Sequence, residues 1–205
     1  MNSELRLPDT SGMEIEEAKQ AIRAAIRDRR KAKAHVFSDE WVEPALEFTY
    51  GLKTVACYVS LDSEPPTSLL LDALADSGKT VFLPKLGPGL TRAWGEYRGR
   101  EDLAQLAPGR PPEPSGGALT NDILRSVDAM IIPGLALSYA GQRMGQGGGW
   151  YDRALKTSGV THRVAQMIFP WEFVNVDLPQ DEMDMLVPYA LLPDGLVATR
   201  AAENL

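Results

Sequence analysis

A glycine-rich loop between an apolar strand and a helix constrains the fold of this chain more than any other segment. Residues 141–149 contain five glycines together with Arg143. Glycine has no Cβ, so the backbone N–H groups of such a loop can approach an anion closely. The apolar residues 127–132 precede the loop, and residues 150–155 continue it as a helix. This order of strand, glycine loop and helix N-terminus predicts a phosphate-binding site.

The loop does not match the common nucleotide-binding motifs. A P-loop has Lys followed by Ser or Thr after its last glycine, whereas Trp150 and Tyr151 follow Gly149 here. The third glycine of a dinucleotide-binding motif is also missing, because Trp150 stands in its place. Glycines alone are also typical of a flexible turn. The arginine within the loop and the polar and aromatic residues 150–153 after it favour a binding site.

The chain has 205 residues, a length that suits one domain with a sizeable core. We therefore expect residues 1–205 to form a single domain, with residues 1–12 as a flexible extension. No apolar stretch reaches the roughly 20 residues that a transmembrane helix needs, and no signal peptide is evident. Cys57 is the only cysteine and lies in an apolar run, which favours a buried thiol over a nucleophile. We expect a cytoplasmic, monomeric protein with no membrane partner.

The charge of the chain is unevenly distributed. Its formal net charge of −7 argues against nucleic acid as a partner, because phosphate-backbone binding needs a basic face. Seven of the 21 basic residues nevertheless lie within residues 19–33. An acidic protein that binds small polyanions needs such a local concentration of positive charge.

The first predicted helix carries this basic segment. Ser11 and Glu14 fit a capping box, and apolar residues follow at helical spacing. Lys19, Arg23 and Arg27 recur every four residues, so they form a basic stripe along the helix. Such a stripe is typical of a solvated face as well as of an anion-binding surface.

The rest of the chain alternates between strand and helix patterns. This alternation predicts the α/β class, with a mostly parallel sheet flanked by helices. Ser38 is expected to cap a second helix that ends near residue 51, and residues 99–117 form an extended loop. The expected strands are residues 54–60, 79–83, 92–97, 127–132, 164–169 and 189–197, the last with a turn at 193–195, and residues 66–77 form a helix.

Polar residues follow three of the predicted parallel strands. Glu64 comes after the first strand, Lys85 after the second and Arg143 after the strand at residues 127–132. Ligands of open parallel sheets bind beyond the carboxyl ends of the strands. We therefore expect these side chains to converge on one site.

The glycine loop and its flanks resemble the signature of the 5-formyltetrahydrofolate cyclo-ligase family. The likeness runs from residues 133–136, through Arg143 and the glycines, to residues 150–153. Weaker likeness covers most of the remaining chain: Lys19 and Arg23, and residues 58–67, 78–84 and 179–184. The resemblance implies a three-layer α/β fold that is shared with sugar-phosphate isomerases and CoA-transferases. It also implies an enzyme that closes 5-formyltetrahydrofolate to 5,10-methenyltetrahydrofolate while ATP, with Mg²⁺, is hydrolysed to ADP and phosphate.

The resemblance further implies how the nucleotide is held. Lys19 and Arg23 are expected to bind ATP phosphates, while Arg143 cradles the transferred phosphoryl group. Arg143 and Tyr151 are the expected catalytic residues. The full expected ATP-binding set is Lys19, Arg23, Arg143, Met144, Gly145, Gln146, Gly147, Gly148, Gly149, Trp150 and Tyr151.

The folate and metal sites are implied in the same way. Glu64 is expected to accept hydrogen bonds from the pterin ring, and Trp150 and Tyr151 to contact the substrate. Asp152 and Asp184 are the expected magnesium ligands. From the residues alone, Glu64 is also typical of a helix N-terminal carboxylate, the two aromatic residues of core packing, and Asp184 of an exposed acid.

The chain departs from the family pattern at several positions. Gln146 and Gly148 stand where some relatives carry a basic residue, and residues 137–140 replace the usual aromatic-acid pair. Pro188 stands where a second C-terminal acid is common, so Asp181 or Glu182 is an alternative metal ligand. Two other functions therefore stay open: a folate- or nucleotide-binding regulator without turnover, and a sugar-phosphate isomerase or CoA-transferase-like enzyme.

Overall fold

The computed structural model describes residues 6–32, 39–160 and 162–205. Ser38, the expected cap of the second helix, lies outside these described residues. The described part of the chain contains four α-helices: α1 (Ile15–Ala32), α2 (Val42–Phe48), α3 (Ser68–Asp76) and α4 (Trp150–Ser158).

A seven-stranded sheet forms the centre of the described fold. Its strands are β1 (Thr54–Ala56), β2 (Thr80–Leu86), β3 (Arg92–Glu96), β6 (Ala129–Pro133), β9 (Val164–Met167), β11 (Tyr189–Leu192) and β12 (Gly195–Ala198). They lie in the order β12-β11-β9-β6-β1-β2-β3. The five inner strands are parallel, and the two edge strands pair antiparallel with their neighbours.

Two smaller sheets lie beside the central one. One contains β7 (Ala136–Ser138), β8 (Arg143–Met144) and β10 (Phe173–Val174), and the other contains β4 (Leu103–Ala104) and β5 (Glu113–Pro114). Short 3-10 helices complete the described elements: Pro88–Leu90, Arg100–Asp102, Asn121–Ser126, Pro170–Glu172 and Arg200–Asn204.

Alternating side chains of the inner strands pack on opposite faces of the sheet. Ile131 joins the cluster that α2 and α3 cover, whereas its neighbour Ile132 joins the cluster that α4 covers. Both residues are completely buried, which explains why the inner strands are continuous apolar runs. The described domain therefore has three layers, and the predicted fold class is confirmed. The expected domain limits and the flexibility of residues 1–12 stay predictions.

The structure corrects several predicted element limits. Helix α1 begins at Ile15, and the Ser11 N–H donates to Asp9 Oδ1 at 3.0 Å, so the capping box is wrong. Strand β1 ends at Ala56 rather than at residue 60. At the end of the predicted strand, Ser60 and Thr67 each bind the other's backbone N–H through a hydroxyl, so Ser60 bonds to the start of α3 and not to a neighbouring strand.

Candidate active site

A hairpin that the sequence did not predict positions Arg143. Strands β7 and β8 pair Leu137 with Arg143, inside the stretch interpreted as one loop. The turn between them needs glycine at position 141, where φ is 93° and a Cβ would lie 2.7 Å from Ala201 Cβ. The hairpin packs on α1 through Met144, which is buried with Ile22 and Ile26. Arg143 is thereby carried on a short strand beneath α1.

The glycine loop connects this hairpin to helix α4. Gly147 has a φ of 102°, and a Cβ there would face the Arg23 guanidinium at 3.6 Å. Arg23 Nε donates to the Gly145 carbonyl at 3.1 Å, so α1 holds the loop from the side. Helix α4 begins at Trp150, directly after the last glycine. Its free N-terminal N–H groups therefore lie at the end of the loop.

A polar cavity of about 300 Å³ lies between α1, the glycine loop and the C-terminal segment. We call it the phosphate cavity. It brings together every residue that the sequence analysis expected to bind ATP, as well as Asp152 and Asp184. Glu16, Pro133, Arg153, Asp181 and Met183 also line it. Asp181 was anticipated as an alternative acid, whereas the other four were not expected.

Three cations of the phosphate cavity, Lys19, Arg23 and Arg143, are paired with its acids. Lys19 Nζ lies 2.5 Å from Asp184 Oδ2 and 2.7 Å from Asp181 Oδ2. Burial lowers the pKa of Lys19, but the hydrogen bonds to the two carboxylates outweigh this effect and leave the pKa raised. The bond from Lys19 likewise lowers the pKa of Asp181. Lys19 is therefore a permanent positive charge, although it is only 4% exposed.

Arg143 forms the second ion pair of the cavity. Its Nη2 lies 2.7 Å from Asp152 Oδ2, and Nη1 donates to the Pro133 carbonyl at 3.4 Å. The guanidinium is buried, and its Nε has no hydrogen-bond partner among the described residues. Arg143 thus presents an unused donor in an enclosed position, where it could bind an added oxyanion.

A second cavity of about 380 Å³ adjoins the first one. We call it the apolar cavity, because Tyr58, Val59, Leu61, Leu86 and four prolines are among its lining residues. Glu64 and Lys85 supply charge, and part of the wall comes from residues 110–113 of the expected long loop. Both cavities share a wall that consists of Pro133, Gln146, Trp150 and Tyr151.

Glu64 is the buried carboxylate of the apolar cavity. It is 5% exposed, and its Oε2 accepts the Leu61 N–H at 3.0 Å. Its Oε1 accepts from Gln146 Nε2 at 3.1 Å. Helix α3 begins four residues later at Ser68, and Glu64 accepts no N–H of that helix among the described contacts. Glu64 therefore does not cap this helix through a hydrogen bond, and its role in ligand binding stays a prediction.

Two tyrosines contribute protonated hydroxyl groups to the lining of the apolar cavity. Burial raises the pKa of both Tyr58 and Tyr151 well above the ordinary value, so neither can act as a base near neutral pH. The Tyr58 hydroxyl has no hydrogen-bond partner among the described residues and was not identified from the sequence. An unpartnered hydroxyl beside Glu64 is suited to a polar group of a ligand.

The acids of the phosphate cavity fit a magnesium–phosphate complex better than a preformed metal cage. Within the described residues, no group of three or more His, Cys, Asp or Glu side chains could hold a metal ion. Asp152 and Asp184 nevertheless line one cavity with the cationic residues. Magnesium is commonly bound by one or two carboxylates plus substrate phosphates and water. The residues present fit that arrangement.

Comparison with known proteins identifies the family. The model of the 5-formyltetrahydrofolate cyclo-ligase family matches residues 2–193. The chain belongs to this family. The 5-formyltetrahydrofolate cyclo-ligase of Mycolicibacterium smegmatis is 30% identical over 194 residues, which cover 89% of this chain and 98% of that protein. The Escherichia coli K12 enzyme of the same name is 30% identical over 177 residues, with 82% and 96% of the two chains covered.

Solved structures support the cyclo-ligase fold. The NMR structure of the Aquifex aeolicus 5,10-methenyltetrahydrofolate synthetase has a TM-score of 0.68 at 23% identity and covers 89% of this chain and 93% of its own. The structure of the 5,10-methenyltetrahydrofolate synthetase from Mycoplasma pneumoniae has a TM-score of 0.64 at 16% identity. It covers 84% of this chain and 97% of its own. The predicted family and its enzyme class, a cyclo-ligase, are thus confirmed. No helix among the described residues of this cyclo-ligase is long and apolar enough to cross a membrane.

Proposed function

We propose that this cyclo-ligase closes 5-formyltetrahydrofolate to 5,10-methenyltetrahydrofolate and hydrolyses ATP to ADP and phosphate. The observation that supports the proposal most strongly is the shared wall of the two cavities. A polar cavity lined by Lys19, Arg23 and Arg143 suits a polyphosphate, and the apolar cavity with its buried Glu64 suits a flat ring with N–H donors. Because the cavities adjoin, a phosphoryl group and a formyl group can meet without leaving the protein.

The proposed reaction has two chemical steps. The formyl oxygen first attacks the γ-phosphorus of ATP, and the bond to the bridging oxygen breaks with release of ADP. The folate N10 then attacks the activated formyl carbon and loses its proton, and the carbon–oxygen bond breaks with release of phosphate. Phosphorylation converts a poor leaving group into a good one. The protein contributes mainly position and charge neutralisation to a transfer of this kind.

In this proposal Arg143 stabilises the phosphoryl group during transfer. Its guanidinium is buried, fixed by Asp152 and the Pro133 carbonyl, and still has a free donor. A planar fork of donors matches the oxygens of a phosphoryl group. Tyr151 lies in the shared wall and stays protonated, so we assign it a donor role rather than a base role.

Glu64 is proposed to orient the folate. Its carboxylate would accept the N–H groups of the pterin ring in place of its present donor Gln146. Trp150 lines both cavities and offers an aromatic surface to a flat ring. This places the folate on one side of the wall and the phosphates on the other.

Asp152 and Asp184 are the residues that would hold Mg²⁺. A bound magnesium ion supplies charge neutralisation at the phosphates. The same carboxylates pair with Lys19 and Arg143 in the structure. In the proposal the two carboxylates would hold the ion, and Lys19 and Arg143 would bind phosphate oxygens beside it. A cytoplasmic location and a monomeric state stay predictions.

The decisive experiment mixes the protein with 5-formyltetrahydrofolate and Mg-ATP. The absorbance of methenyltetrahydrofolate and the release of ADP are followed together. We expect one ADP for each product molecule and no product without ATP. Folate and nucleotide binding without either product would support the regulator instead. Neither binding nor turnover, while an active cyclo-ligase responds in the same assay, would reject the proposal.

A further inference from the structure

Two arginines converge on the carbonyl oxygen of a single loop glycine. Arg92, the first residue of β3, donates from Nη2 to the Gly148 oxygen at 2.9 Å. Arg153, in the first turns of α4, donates from Nη2 to the same oxygen at 2.9 Å. A carbonyl oxygen has two lone pairs and can accept both bonds. The two guanidinium groups are therefore neighbours at the outer end of the glycine loop.

This pair of positive charges is not balanced by a carboxylate. Among the described residues, neither Arg92 nor Arg153 has an acidic group within ion-pair distance. The pKa of Arg92 is lowered by burial and by the nearby charge of Arg153. By contrast, Lys19, Arg23 and Arg143 in the phosphate cavity each have a carboxylate partner. Like charges held together in an acidic protein are stabilised when an anion binds between them.

The position of the pair connects it to the substrates. Arg153 and Gly148 line the phosphate cavity. The Arg92 guanidinium lies over the ring of Trp150, 5.6 Å from its centroid, and Trp150 belongs to the wall shared with the apolar cavity. Each guanidinium has five N–H donors, of which the carbonyl takes one. A charged group that leaves either cavity at this end would meet unused donors.

We propose that Arg92 and Arg153 form an anion subsite that takes a charged group of one of the two substrates. The chemistry is a multiply charged oxyanion, either the phosphates of ATP or the glutamyl carboxylates of the folate tail. The identity of the substrates rests on the proposed function. Binding of an anion by the two arginines does not require turnover.

Direct binding measurements separate the two sources of the anion. Inorganic tripolyphosphate is titrated into the wild-type protein and the Arg92→Gln, Arg153→Gln and double variants by calorimetry. 5-Formyltetrahydrofolate with one and with four glutamyl residues is titrated in parallel. We expect the double variant to lose about tenfold or more in affinity for one of these ligands, since it loses charge-assisted hydrogen bonds. The salt dependence of that affinity should also decrease.

Each result identifies the source or overturns the subsite. If only the affinity for tripolyphosphate falls, the subsite binds the phosphates of the nucleotide. If only the affinity for the longer folate falls, the subsite binds the glutamyl tail. Arg98→Gln is the matched control, because Arg98 lies just beyond β3, is exposed and lines neither cavity. Unchanged affinities in the double variant, or the same loss in Arg98→Gln, would overturn the proposal. Arg92→Lys with Arg153→Lys should restore part of the affinity, and melting curves verify the fold.

Discussion

The side chain of Gln146 donates to Oε1 of Glu64 at 3.1 Å and links the glycine loop to the apolar cavity. Arg27 binds the oxygen of the same side-chain amide, because its Nη2 donates to Gln146 Oε1 at 3.0 Å. The same Nη2 also donates to the backbone carbonyl oxygen of Gln146 at 2.8 Å. The basic stripe of α1, the loop and the buried carboxylate thus form one continuous chain of hydrogen bonds. In the proposed complex the folate ring replaces Gln146 as a donor to Glu64, so the loop and the apolar cavity are coupled.

We expect Gln146→Ala to increase the affinity of the free protein for 5-formyltetrahydrofolate. The variant removes a competing donor from Glu64, and a hydrogen bond to a charged group contributes about 1.5 to 3 kcal/mol. An increase of about tenfold or more is therefore expected. Calorimetric titration with folate in the absence of ATP measures it. A weaker affinity for folate would show that Gln146 binds the substrate rather than competing with it.

Glu64→Gln should weaken folate binding by roughly tenfold or more, because it removes a charged acceptor but keeps the shape of the side chain. ATP affinity, which depends on the other cavity, should stay near its wild-type value. The two affinities are measured on the same preparation. If only ATP affinity changes, Glu64 has been assigned to the wrong cavity.

The residues that the sequence analysis grouped as nucleotide-binding lie together in the phosphate cavity, for a local reason. Arg143 and the loop glycines lie close together in the chain, and the strand before them and the helix after them follow simple apolar patterns. Lys19 lies in the same cavity, because it belongs to the basic stripe of helix α1. Its partner Asp184 is 165 residues away, and their pairing depends on how α1 packs against the C-terminal segment. No residue spacing in the sequence predicts a contact between two residues so far apart in the chain.

Other features were missed because they depend on tertiary contacts. The Arg92 guanidinium reaches Gly148 only because β3 lies at the edge of the sheet beside the loop. The strand predicted to reach residue 60 is shorter in the structure. The backbone N–H groups of Ser60 and Thr67 bind each other's hydroxyl groups and not a neighbouring strand. Side chains that bind backbone groups compete with secondary structure in this way, and apolar periodicity does not report them.

Arg143→Lys should lower turnover far more than it lowers the melting temperature. Lysine keeps the charge but has no planar fork, so its compact ammonium cannot reproduce the guanidinium geometry that binds Asp152 and the Pro133 carbonyl and also faces the phosphoryl oxygens. Arg143→Ala should lose on the order of several kcal/mol of transition-state stabilisation. Asp152→Asn provides the comparison, since it breaks the ion pair and keeps the guanidinium. Equal stability losses in both variants, with activity that only follows unfolding, would reduce Arg143 to a structural role.

Asp184→Asn should raise the Mg²⁺ concentration needed for half-maximal activity by about tenfold, a loss typical of weakened metal sites. Glu182→Gln is the matched control, because Glu182 is an exposed acid two residues away that does not line the phosphate cavity. Magnesium titrations at saturating ATP measure the effect. A shift in the control and none in Asp184→Asn would move the metal ligand to Glu182.

A buried ion pair below the site should make stability depend on pH. Arg30 and Glu172 are fully buried, with Nε 2.6 Å from Oε1 and Nη2 2.9 Å from Oε2. Burial raises the pKa of Glu172 to about 7, although Arg30 opposes the shift. The folded state therefore holds a proton on Glu172 at pH values where the unfolded chain, with an ordinary pKa of 4.5, has lost it.

The sign of the pH dependence follows from this difference. Because the pKa of the folded state is the higher one, the stabilisation that the proton provides is fully present below pH 4.5 and is lost as pH rises through about 7. The loss amounts to about 3 kcal/mol at most.

Urea unfolding between pH 4.5 and 8 should show this decline in the free energy of unfolding of the wild-type protein and of Glu43→Gln, a control at an exposed glutamate of α2. Glu172→Gln should lack this decline, because a glutamine side chain does not titrate. An equal decline in Glu172→Gln would assign the pH dependence to other groups.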